Sequence, residues 1–257
     1  MVERALVALE EANSPWLIES LRFTGFFSPA ATIEQDWWRR VVGGPSEAQT
    51  IRARIGGYQE TGLVDHRRLL LSVEPTRVDW RFTPARANVD AGALSLLGSI
   101  SENTRTFCQL MNRWLEIAPP MVRLAFGAAL VIEVADPGRG YDLLVRRYLS
   151  HLGLNTEEIT DLVYQINRPR PATAGVPGLR INRLTKWSVA TYQLMVVPVG
   201  PGPLEVQPRP TEMYASNLEL DINTDARRTD ELPFDARVPL FSELVASGLN
   251  IALHGDV

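Results

Sequence analysis

Cysteine is nearly absent from this chain. Cys108 is the only one in 257 residues, which excludes an intrachain disulfide and a cysteine-built zinc site. Histidine is scarce as well. His66, His151 and His254 are scattered, with no helical i, i+4 pair and no cluster of carboxylates beside them. They read as solvated or capping side chains, and no metal is expected. Long apolar runs are missing. The longest, around Leu124–Val134, is interrupted by Gly127 and Glu133 and is too short to span a bilayer. The start, Met1-Val2-Glu3-Arg4, lacks a basic region followed by an apolar stretch. These absences predict a cytoplasmic, reduced protein with no membrane contact.

Lysine is missing too, save for Lys186, so 25 of the 26 basic Lys and Arg residues are arginine. GC-rich codon usage explains this bias more simply than function does. The net charge is −4, which gives no general attraction to nucleic acid or to anionic lipid.

Catalytic and cofactor motifs are the last absence. No phosphate-binding glycine loop and no nucleophile elbow occur. Asp136-Pro137-Gly138-Arg139-Gly140 follows a strand and precedes a helix, but without the three-glycine fingerprint it reads as a plain turn. Cys108 falls inside a helical stretch beside Phe107 and reads as a buried, inert thiol. Asp221 and Asp225 are conceivable as an acid and a base. Asp221 lies on the polar side of a strand whose Leu218, Leu220 and Ile222 face inward, so solvation accounts for it. No catalytic residue and no cofactor are assigned.

What is present is ordinary globular composition, 45% hydrophobic and 22% charged, enough for a sizeable core. Val2, Leu6 and Leu9 stand at helical spacing in an amphipathic segment stopped by Asn13-Ser14-Pro15. Residues 16–27 read as a strand. Thr32 is a candidate cap for a short helix carrying Trp37, Trp38 and Val41. Strands are predicted over 50–56, 68–74 and 77–82, the last two joined as a hairpin by Glu74-Pro75-Thr76. Val78, Trp80 and Phe82 alternate with Arg77, Asp79 and Arg81, which is the pattern of a sheet with one buried and one wet face. A long helix over about 93–117 follows.

Pro119-Pro120 then separates a second passage. Strand 121–134 and helix 141–149 are followed by strands 162–167, 179–185, 188–197 and 214–223. A proline-rich connection occupies 198–210, and helix 239–253 closes the chain. The fold class is therefore α+β: two similar β-α-β-β-β-α halves, with one extra strand in the second, of mainly antiparallel sheet with helices packed on one face. The divisions are 1–15, an N-terminal helix, 16–118 and 119–257. The element order resembles the saddle of TATA-binding-type proteins, a likeness of fold that carries no function.

Several short stretches match a known group. They are Pro15-Trp16-Leu17-Ile18-Glu19, residues 73–81 (VEPTRVDWR), Tyr164-Gln165-Ile166-Asn167-Arg168, and residues 218–223 (LELDIN) with the closing helix. On these the chain resembles a sporadically distributed bacterial family of uncharacterised α+β proteins. The resemblance implies an internally duplicated domain and an accessory gene in defence- or toxin-linked neighbourhoods. It carries no catalytic residues. Asp79 departs from the family, which usually has Asn before the Trp-Arg pair.

Two constellations remain as candidate sites. Arg52 and Arg54 are two apart, as are Arg77 and Asp79, and Asp79 and Arg81, so each strand presents its arginines on one face. Four guanidiniums on one surface would hold phosphates, while an ion-pair lattice with Asp79, Glu74 and Glu219 would neutralise them. Trp37 and Trp38 are about 100° apart on their helix. Both fit a broad buried face, or one is exposed and anchors a partner. The first expectation is a non-enzymatic accessory subunit that binds a partner protein or a second copy. The second is a nucleic-acid-binding module that uses the arginine face.

Overall fold

The computed structural model describes residues 1–28, 30, 36–85, 93–194 and 211–255. The first passage contains α1 (Val2–Glu11), β1 (Leu17–Phe26), α2 (Trp37–Val42), β2 (Ala48–Arg52), β3 (Gly57–Val64), β4 (Arg67–Glu74), β5 (Arg77–Pro84), β6 (Gly98–Ser99) and α3 (Ile100–Leu115). The second contains β7 (Arg123–Val134), α4 (Pro137–Arg147), β8 (Val163–Asn167), β9 (Arg170–Pro171), β10 (Arg180–Leu194), β11 (Thr211–Thr224) and α5 (Phe234–His254). All the strands join one eleven-stranded sheet in the order β2-β3-β4-β5-β1-β7-β11-β10-β8, with β6 on β1 and β9 on β10. The pairings are antiparallel, and the helices lie on one side. The α+β expectation holds, and the two passages share a single sheet that meets at the β1–β7 pair.

Three differences from the sequence reading shape the sheet and its cover. β3 was not expected, because Gly57, Gln59, Glu60, Thr61 and Gly62 are poor strand formers taken alone. Pairing with β2 on one side and β4 on the other supplies what propensity lacks. The extra strand therefore belongs to the first passage. In the second, the two strands expected over 179–197 are one, β10, because β11 pairs with it from Ile181 to Leu194 without a break. Helix α3 starts at Ile100 rather than near 93. Gly98 has φ +96° and Leu97 N–H donates to the Ile18 carbonyl, so this stretch follows β1 before the helix begins. The expected cap at Thr32 and the proline-rich connection up to Pro210 lie outside the described residues.

One hydrophobic cluster runs under the whole covered face. Phe23 on β1 is its hinge between passages. Its ring sits 5.2 Å from Trp114 on α3 and 5.2 Å from Phe241 on α5, and Phe241 also meets Phe126 on β7. Trp38 lies on Gly62 so closely that a Cβ there would fall 2.9 Å from its ring. Trp38 also stacks on Trp80 at 6.2 Å.

Three buried charges tie loops to this core. Arg67 donates to Asn103, Asp65 and Glu102, fastening β4 to the start of α3. Arg237 donates to the carbonyls of Ala118, Pro119 and Leu232 and to Glu231, closing the connection between the passages. Glu243 on α5 accepts from Arg170 at 2.7 Å and from the backbone N–H groups of Thr173 and Ala174 at 2.8–2.9 Å. The segment after β9 is thereby pinned by a buried carboxylate, whose negative charge is answered by hydrogen bonds and one cation.

Candidate binding face

The face of the sheet opposite the helices carries the alternate residues of every strand. Its floor is β7, which contributes the small residues Ala125, Gly127 and Ala129 to the middle of that face. Cross-strand rows run over this floor. One reads Arg81, Arg22, Gly127, Asp221, Leu184. The next reads Ser20, Ala129, Glu219, Lys186, Gln165. A third reads Asp79, Thr24, Ala125, Asn223, Asn182. Small residues in the middle and long polar ones on both sides leave a trough of about 410 Å³ over the first two rows.

Gly127 shapes that trough. A Cβ there would sit 3.2 Å from Arg22 Nε and 3.3 Å from its Nη2. Arg22 thus lies across the glycine toward Asp221, with Nη2 3.6 Å from Oδ2. Arg22 Nε is buried without an acceptor among the described residues. Lys186 pairs with Glu219 at 2.7 Å. Arg77 donates to Asp79 at 2.8 Å, and this bond, more than the opposing effect of burial, raises the arginine above its usual value. Asp79 also accepts from Thr24 Oγ1 at 2.6 Å. Arg123 and Arg77 lie over the Phe26 ring, at 4.5 and 5.7 Å from its centroid. Arg81 lines the trough and has no ion-pair or hydrogen-bond partner among the described residues.

The four expected arginines do not gather. Arg77 and Arg81 share β5, but β3 and β4 stand between them and Arg52 on β2. Three strand spacings put the two sets roughly 14 Å apart. Arg52 is bonded to Gln59. β2 ends at Arg52, so Arg54 falls in a 3-10 turn, Ala53–Ile55, rather than two places along a strand. Trp37 and Trp38 are each 1% exposed. Trp37 packs on Phe27 and Trp114. Neither indole is accessible to a partner, because both positions fall on the core side of a helix only six residues long.

Other sequence candidates also resolve. Asp136 caps α4 by accepting from Arg139 N at 2.9 Å, so Pro137–Gly140 forms the first turn of the helix rather than a separate turn. Burial pushes the Cys108 thiol up to about 12, which removes it as a nucleophile at neutral pH. Asp225, held down to about 2 by hydrogen bonds from Arg227, lies past the trough and beyond the end of β11, four residues on from Asp221. The two therefore do not form an acid–base pair. No group of three or more potential ligands that could hold a metal occurs among the described residues, and no described helix is long and apolar enough to cross a membrane.

Arg22, Gly127, Gln165, Lys186 and Glu219 were not picked out as site residues from the sequence. Alternation places Arg22 opposite Leu21 and Phe23, but only the strand order brings it beside Arg81 and Asp221. No family model matches the chain, and no curated protein matches it.

Proposed function

We propose that the protein is a non-enzymatic binding subunit that receives a segment of a partner protein on the open face of its sheet. The observation that carries this reading is the trough itself. Among the described residues the helices lie on one side of the sheet and leave a broad face open, and the centre of that face is cleared by Gly127 and Ala129. Its walls offer both donors and acceptors: Arg22, Arg81, Gln165 and Lys186 against Glu219 and Asp221. Mixed polar groups of this kind suit a peptide chain, which presents both N–H and C=O groups. The resemblance to a sporadically distributed bacterial family, with its implied duplicated domain and defence- or toxin-linked genes, supports an accessory role.

Nucleic acid fits the face less well. Asp79, Glu219 and Asp221 stand among the arginines, and a phosphate backbone laid over these rows would meet them. The net charge of −4 adds to that opposition.

The experiment is site-directed photo-crosslinking in the native host. A photoreactive residue replaces Gln165 on the open face in one protein and Val7 on exposed α1 in another. The expected result is one protein crosslinked from position 165 and not from position 7. A crosslink from position 7 alone, or from neither, would overturn the reading. Retained nucleic acid released by salt would transfer the face to the second function.

A further inference from the structure

The trough contains a charge arrangement that its own residues do not complete. Arg22 and Arg81 are directly opposite each other on neighbouring strands. Like charges in that position repel. Asp221 answers only one of them, at 3.6 Å from Arg22 Nη2, which is beyond hydrogen-bond length. Arg22 Nε has no acceptor and Arg81 has no partner among the described residues. Two guanidiniums and one carboxylate leave a single positive charge facing open space.

Resting on the open face as the docking surface, we propose that this pair is a subsite for a monoanionic carboxylate. A guanidinium presents parallel N–H groups at the spacing of two carboxylate oxygens, so one carboxylate can accept from both arginines. A single negative charge matches the local excess. A dianionic phosphate would exceed it and would lie beside Asp221. The trough of about 410 Å³ is far larger than a carboxylate, so the rest of the ligand lies over Gly127 and Ala129. There it meets Gln165 and the Lys186–Glu219 pair, which both donate and accept. The occupant is therefore a carboxylate on a polar, hydrogen-bonding body. An acidic side chain of the partner's docked segment meets this description, and so does a small free acid.

The test follows the Nε–Hε signals of Arg22 and Arg81 by NMR in the full chain. The probe is N-acetylglutamic acid amide, a monoanion, with N-acetylglutamine amide as its neutral isostere. Saturable shifts with the acid and none with the amide are expected. Arg81→Gln should weaken the acid by about tenfold or more, the scale of a lost charge-assisted bond. Arg105→Gln, on α3 on the opposite side of the sheet and paired with Glu3, should leave it unchanged. Absence of saturable shifts, or equal losses in both variants, overturns the subsite, whatever the crosslinking experiment shows. If the acid competes with the crosslinked partner, the natural carboxylate is the partner's side chain. If the acid binds but no protein is crosslinked from position 165, the subsite stands for a free acid and the protein-docking reading falls.

Discussion

The two faces of the sheet are made by the same strands, one residue apart, and they behave as different materials. Leu21 and Phe23 are buried to 1% or less, and Trp80 and Phe82 to 0%. Between them Arg22 and Arg81 stand at a trough. The covered face carries the folding free energy through apolar area removed from water. The open face carries charges in water, where each pair contributes little to stability. The lesson is that the charges of the open face can be altered with small effect on folding, because the pleat separates them from the core.

The largest expected effect comes from cutting the covered face at its centre. Phe23→Ala removes the ring shared by Trp114 and Phe241 and should cost about 3–5 kcal/mol. Urea titration would measure it, and a loss below about 1 kcal/mol would mean that the two passages do not depend on this junction. Next is Glu243→Ala. It leaves Arg170 and the N–H groups of Thr173 and Ala174 without their acceptor, at a cost of about 3 kcal/mol. Hydrogen exchange at Thr173 and Ala174 should accelerate first. Unchanged protection there would remove the latch.

A smaller effect marks the margin of the covered face. Glu60 is 6% exposed, and burial raises its carboxyl above the usual value against a hydrogen bond from Ser46. The folded protein then keeps this proton to a higher pH than the unfolded chain. Its contribution is present at low pH and is lost as pH rises from the ordinary carboxylate range through the folded value. Glu60→Gln should flatten that part of the stability–pH curve and raise the melting temperature at pH 7 by about 2 °C, a fraction of the range expected for a chain this size. Parallel curves for the two proteins would contradict it.

The smallest effect on stability should come from the open face. Arg81→Gln is expected to change unfolding free energy by no more than about 0.5 kcal/mol, with either sign, since it also relieves repulsion from Arg22. A larger destabilisation would show that the open face shares in holding the fold, and the contrast between faces would blur.

The alternation that produces this contrast was legible in β5 and β11, where Val78, Trp80 and Phe82, and Leu218, Leu220 and Ile222, interleave with charged residues. The amphipathic α1 was equally plain in kind, whereas the burial of both Trp37 and Trp38 was left open by their helical spacing. β3 was hidden because Gly57, Glu60 and Gly62 are stabilised by neighbours rather than by themselves. β10 was split because Arg183, Thr185 and Lys186 interrupt its pattern, and only its length of pairing shows it to be continuous. The arginines were visible as alternating residues, yet their grouping was misjudged. Arg52 and Arg77 look equivalent along the chain and are separated by two strands across it.

By itself the sequence determined the α+β class, the antiparallel sheet with one wet face, and the burial of most of its large apolar residues. These follow from period and composition, which are local properties. The tertiary structure alone decided that β1 lies beside β7, and hence that Arg22 meets Arg81 on one side and crosses Gly127 to Asp221 on the other. Strand order joins residues about 60 to 200 positions apart, and no local periodicity records which strands will be neighbours.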